Sequence, residues 1–276
     1  MLRRPGSLHR YANLIRSVSN WPAYFMFKRR RDRTGTVRMR DRKNRVQFDV
    51  PRSLLGIFKE IYLSDIYAMA PLRKVLPPRP NIIDVGANIG IFSLRLLALK
   101  PGATVLAYEP LPSNFSVLHD NADLNPQVRD RLRVFQCAVS GKNESEQRIY
   151  FDPDKPNTPT ASLIQSFAAS NRKSVQVPTV SLDAIVEEHA LERIHLLKLD
   201  CEGSEFDILS GASPEVLAKI DAIVMEVHEA GDQTIERMQR DLHALGFSSE
   251  ARLIDEGVGL VRAIRPEVNT VKAMTG

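Results

Sequence analysis

NIIDVGANIG, residues 81–90, decides how this chain is read. Its apolar run ends on Asp84 and is followed at once by Gly86, Ala87, Asn88 and Gly90, and then by IFSLRLLALK. That order predicts a buried parallel strand, a sharp turn and a helix start. Glycines at 86 and 90 let the backbone bend tightly and let a ligand lie against it. A helix opening there aims free N–H groups and its positive dipole end at the ligand, which favours an anionic group. The segment therefore predicts a nucleotide-like cofactor site. The plainer reading is a glycine turn in an ordinary α/β protein.

The next strand narrows the choice. Pro101 and Gly102 end the helix, Ala103 to Tyr108 forms a second apolar strand, and Glu109 stands at its tip before Pro110. A carboxylate in that place can accept both hydroxyls of a ribose; alone, it reads equally as a solvated loop acid. The G-x-G-x-x-G spacing of nicotinamide and flavin sites is missing, because residues 86 and 90 space their glycines four apart. This departure weakens a dehydrogenase reading without excluding it.

Three features further along can carry chemistry. Asp200, Glu202 and Glu205 cluster just past a strand at Ile194 to Leu199, and ligands of open α/β sheets bind outside the carboxyl ends of the strands. Asp200 is placed to orient a hydroxyl, act as base, or hold a hard cation such as magnesium together with Glu202; the alternative is that Asp200 caps the next turn and Glu205 is surface. Glu226 and His228 end another strand, Ala222 to Val227, and lie on one face of it with Val227 on the other. His228 titrates near neutrality, and a structural histidine is the competing reading. The [DNS]-P-P-[FYW] motif of amino-group methylation, the G-x-S-x-G elbow and the P-loop are all absent.

DVGANIG (84–90), AYEP (107–110), LLKLDCEGSEFDILSGA (196–212) and IVMEVH (223–228) together resemble the FkbM family of class I S-adenosylmethionine-dependent methyltransferases, over about residues 46–265. The K-x-D-x-E-G-x-E block is the distinctive part. The resemblance implies an α/β, Rossmann-like class I methyltransferase fold: a seven-stranded, mostly parallel sheet in the order 3-2-1-4-5-7-6, with a C-terminal antiparallel hairpin and helices on both faces. It implies S-adenosyl-L-methionine as cofactor and O-methylation of a hydroxyl on a sugar, glycan or other small natural-product acceptor. Asp84, Gly86, Asn88 and Gly90 would bind the methionine end, Glu109 the ribose, and Ala138 with Val139 the adenine. Asp200 and His228 would face the acceptor, with Glu226 in support. The rival readings are a nicotinamide-dependent oxidoreductase and a non-catalytic anionic-surface or RNA-binding protein on the same fold.

Composition accords with one α/β domain. The chain has 276 residues, 43% of them hydrophobic, and no apolar stretch long enough to span a bilayer. Cys137 and Cys201 fall near the ends of candidate strands that the implied order holds apart, so no disulfide is expected and a reducing cytoplasm suits the chain. Predicted elements include a hairpin at Thr36 to Val50, one helix from Leu54 to Ala70 carrying Glu60 and Tyr67 toward the cofactor entrance, and a strand from Leu132 to Ala138. Tyr150 to Ser174 reads as a lid or acceptor-binding insert. A helix at Leu182 to His189 follows Ser181, an amphipathic helix spans Asp232 to Leu245, and strands flank the turn at Asp255 to Gly257.

Charge is divided sharply along the chain. Residues 1–45 carry a net charge of +12 and the remainder −7. The expected organisation is a basic extension (1–45), a methyltransferase domain (46–267) and a short tail (268–276). Leu8, Tyr11, Leu14, Ile15 and Val18 recur at helical spacing, and Trp21 to Phe27 precede the basic run Lys28 to Arg31. Such a segment suits an anionic membrane surface, with peripheral attachment of a cytoplasmic protein. It also loosely resembles a mitochondrial transit peptide; the other readings are a solvated arm or a helix packed on the domain. The acidic balance after residue 45 argues against a broad nucleic-acid footprint.

Overall fold

The computed structural model describes residues 6–31, 34–142, 144–155 and 157–266. The chain opens with helices α1 (Ser7–Ser17) and α2 (Trp21–Arg29) and a hairpin of β1 (Thr36–Arg40) and β2 (Gln47–Pro51). The predicted single helix from Leu54 to Ala70 is instead broken. It runs as a 3-10 turn (Arg52–Leu54), α3 (Leu55–Phe58) and a π turn (Lys59–Ser64), and helix resumes only at α4 (Met69–Val75). Asp65 and Ala68 both have left-handed φ, 46° and 50°, which ends the regular ladder. The Asp65 carboxylate then accepts the Met69 N–H at 2.8 Å and restarts it. This kink is what carries Tyr67 into the interior.

Strand and helix then alternate: β3 (Asn81–Val85), α5 (Ile91–Leu99), β4 (Thr104–Tyr108), α6 (Pro112–Asp123) and β5 (Leu132–Phe135). Next come β6 (Ala138–Val139), β7 (Glu146–Phe151), β8 (Lys173–Val180), α7 (Leu182–Glu188), β9 (Leu196–Leu199), α8 (Glu205–Gly211), α9 (Pro214–Ala218) and β10 (Ala222–His228). α10 (Ile235–Ala244), β11 (Ser248–Asp255) and β12 (Val258–Ile264) complete the described chain. The main sheet has the order β11-β12-β10-β9-β3-β4-β5. Only β11 and β12 run antiparallel to their neighbours. Counted along this sheet, the order is the 3-2-1-4-5-7-6 that the family resemblance implies. Successive residues of each inner strand point to opposite faces, so Ile82, Val105, Leu196 and Val224 enter one core while Ile83, Leu106, Leu197 and Ile223 enter the other.

Two expectations change. The third strand ends at Phe135, and Ala138 and Val139 leave the main sheet to pair with Thr179 and Val180 of β8. β7 and β8 form the base of the predicted insert, whose connecting residues fold back so that Ser162 pairs with Tyr150. The N-terminal segment is also no separate arm. Leu14, Val18, Tyr24 and Phe27 are buried in the same core as Phe48, Phe58 and Tyr62. Asn13 donates to the Leu63 carbonyl, and Arg95 to the Ser17 hydroxyl, both at 3.0 Å. Residue 45 is thus not a structural boundary. The first five residues of the expected extension, and the expected tail, lie outside the described residues. Among the described residues no helix is long and apolar enough to cross a membrane.

Candidate active site

A cleft of about 270 Å3 opens at the carboxyl ends of the parallel strands. Gly86, Asn88, Glu109, Ala138 and Val139 line one side, and Glu60, Tyr67, Asp200, Glu202 and Glu226 line the other. On the first side, Gly86 has φ 72°, and a Cβ there would stand 1.8 Å from the Asp200 carbonyl oxygen. Glycine is needed because the tip of β9 approaches, rather than only to admit a ligand. Gly90, at φ 81°, turns the chain into α5, and its missing Cβ leaves room for Leu118; it does not line the cleft.

Glu109 is buried at the tip of β4, as the sequence placed it. Its Oε2 accepts the Asn88 N–H and its Oε1 the Leu111 N–H, both at 2.9 Å. Burial pushes its carboxyl up to about 7, against the pull of those two N–H groups. Each oxygen keeps a further lone pair for a hydroxyl donor. Asn88 Nδ2 reaches the carbonyl of Thr158 at 3.3 Å, which ties the insert over this side; Asn114 Nδ2 reaches the same carbonyl at 2.8 Å. Asp84 departs from its expected role. It is fully buried and does not line the cleft, and it receives the Ser93 hydroxyl at 2.5 Å and faces Lys198 Nζ at 3.2 Å.

Lys198 connects the two sides. The period of two along β9 puts it on the same face as Asp200, and its Nζ lies 3.4 Å from Asp200 Oδ2. It also donates to the Gly86 carbonyl at 2.7 Å and to the Val85 carbonyl at 3.2 Å. Burial alone would lower its pKa, but Asp84 and Asp200 outweigh burial and raise it, so the cation is locked in place. The K-x-D spacing carried this signal in the sequence without a role being read from it.

Tyr67 Oη stands 3.0 Å from both Asp200 Oδ2 and Glu226 Oε1. One hydroxyl hydrogen serves only one of them. Burial, then the charge of Asp200, pushes Glu226 up to about 8. The raised proton affinity of Glu226 lets the two carboxyl groups share this hydroxyl. Nothing local in the sequence links these residues.

His228 is placed differently from expectation. It does not line the cleft; its Nε2 lies 3.3 Å from Glu202 Oε2 and its Nδ1 3.3 Å from Glu205 Oε1. Burial opposes its charge, but Glu205 and Glu202 prevail and push the imidazole up to about 9. With both ring nitrogens facing carboxylates and the ring outside the cleft lining, His228 is placed to position the loop after β9. Glu205 is buried, not surface. It accepts the N–H groups of Cys201 at 3.2 Å and Gly203 at 3.1 Å, gathering the loop after β9. For the magnesium reading, no group of three or more His, Cys, Asp or Glu side chains surrounds a common point among the described residues. Asp200 Oδ2 and Glu202 Oε2 instead face Lys198 and His228.

A family model described as the methyltransferase FkbM domain matches residues 84–249. Over 221 residues the chain is 32% identical to 31-O-demethyl-FK506 methyltransferase FkbM of Streptomyces tacrolimicus, spanning 70% of this chain and 81% of that protein. It is 32% identical over 190 residues to methyltransferase 1 of Beauveria bassiana, spanning 62% of this chain and 72% of that one. Against 2-O-methyltransferase NoeI of Sinorhizobium fredii the identity is 30% over 181 residues, 61% of this chain and 70% of the relative.

Proposed function

Because the chain belongs to the FkbM methyltransferase family, we propose that it moves a methyl group from S-adenosyl-L-methionine to a hydroxyl of a sugar, glycan or other small natural-product acceptor. The observation that carries this reading is one cleft with two chemically distinct sides: Glu109 beside an apolar patch, and opposite it a carboxylate, Asp200, fixed by Lys198 and Tyr67. The residues suit the cofactor. Glu109 retains acceptor capacity for a ribose diol, Ala138 and Val139 offer apolar contact to a base, and the turn at Gly86 to Asn88 lies ready for the methionine end.

Bound S-adenosylmethionine supplies a methyl group activated by a positively charged sulfur. Asp200 would accept a hydrogen bond from the acceptor hydroxyl, align its oxygen lone pair, and take the proton as the C–O bond forms and the S–CH3 bond breaks, with S-adenosylhomocysteine as the leaving group. Lys198 and Tyr67 keep that carboxylate in one orientation, and Glu226 is the second partner of the Tyr67 hydroxyl. With Glu60, Glu202 and Glu226 also on this side, the wall offers carboxyl groups as hydrogen-bond partners to the hydroxyls of a polyol acceptor. Two relatives are named as acting at oxygen, which supports a hydroxyl acceptor.

Calorimetry tests the cofactor and a labelled methyl group tests the acceptor. S-adenosylmethionine and S-adenosylhomocysteine should bind while NADH does not compete, and label should pass to a hydroxyl of a polyol acceptor. Tight NADH binding with no response to S-adenosylhomocysteine would sink the reading.

A further inference from the structure

Residues 1–31 contain eight Lys and Arg and no Asp or Glu. Their described part is bolted to the core through Leu14, Val18, Tyr24 and Phe27, so the opposite faces of α1 and α2 are held in fixed presentation. Those faces are not purely polar. α1 exposes Leu8 (88%) and Ile15 (43%), seven residues apart on one line of the helix, with Arg16 beside them. α2 exposes Met26 (66%) next to Lys28, Arg29 and Arg30.

We propose that the α1–α2 face docks on an anionic lipid bilayer. Cations draw the face to acidic headgroups, and Leu8 and Met26 enter the boundary between headgroups and acyl chains. A nucleic acid or an acidic polysaccharide satisfies the cations but gives these apolar side chains no partner. The net charge of −7 after residue 45 repels the same surface and orients the molecule with this face toward it.

The test is flotation of the full-length protein with phosphatidylcholine vesicles made with and without phosphatidylglycerol. The protein should float with the mixed vesicles at low salt, stay behind with the neutral ones, and be released as salt rises. Leu8→Ser/Met26→Ser should lower the partition coefficient about tenfold with an unchanged melting temperature, because both side chains are already exposed. Lys28→Ser/Arg29→Ser should lower it at least about tenfold. Failure to float at low salt overturns the proposal. So does flotation that the Leu8/Met26 variant leaves intact while heparin displaces the protein fully, because the face would then read polyanions rather than lipid.

Discussion

On the cofactor side of the cleft, Gly86, Asn88 and Glu109 belong to one strand–turn–helix–strand unit, and Glu109 is joined to Asn88 by a backbone hydrogen bond across 21 residues. On the acceptor side, Tyr67 meets Asp200 across 133 residues and Glu226 across 159. The first side is a local device that the chain builds by itself. The second exists only when three distant elements converge, and it packs several carboxyl groups together. It therefore depends on a buried cation, Lys198, and on the Tyr67 hydroxyl for its integrity. Lys198 is where the two sides meet, because it binds the Gly86 carbonyl and faces both Asp84 and Asp200.

Lys198→Met should give the largest effect. It leaves Asp84 buried without its cation, a loss of about 3–5 kcal/mol in denaturant-unfolding stability. A loss below about 1 kcal/mol would mean that the sides are independent. Asp200→Asn should act on one side only, cutting turnover at least about a hundredfold while cofactor affinity stays near normal. Full turnover would leave Asp200 as no more than a structural partner of Lys198. Glu109→Ala is the complementary change. It should weaken S-adenosylhomocysteine binding by about 1.5–3 kcal/mol with little effect on turnover at saturating cofactor, and a turnover defect without an affinity defect would erase the distinction.

The smallest effect is in pH. His228 holds its proton to about 9 when folded and to 6.5 ordinarily. The fold therefore binds the extra proton between those values, and this stability is complete below 6.5 and lost as pH rises through 9. Glu226, raised from 4.5 to about 8, has the same sign over a lower window. Melting temperature should thus fall from about pH 6 to about pH 9. Glu226→Gln should flatten the lower part of that slope and His228→Gln the upper part. A melting temperature that rises with pH in wild type would contradict both assignments.

The N-terminal segment offers a second contrast. Its charge and helical spacing were legible, but the same spacing serves equally to coat a membrane or to pack on a core. The structure packs one face on the core and leaves the other exposed: Tyr24 and Phe27 are buried, while Leu8 and Met26 stay outside. Periodicity reports that a helix has two faces and not which neighbour each will meet.

From sequence alone came the strand–turn–helix at Asn81 to Gly90, the acid at the tip of β4, the alternation of strands and helices, and, through the family resemblance, the strand order. Short-range patterns suffice there because turn geometry and strand burial are set by adjacent residues. Only the tertiary structure decided that Asp84 binds Lys198 rather than a ligand. It also set His228 outside the cleft lining, between Glu202 and Glu205, and brought Tyr67 to Asp200 by way of the kink at Asp65 and Ala68. Burial and charge pairing depend on what the fold packs around each group, and that is a property of long-range contacts rather than of neighbours in the chain.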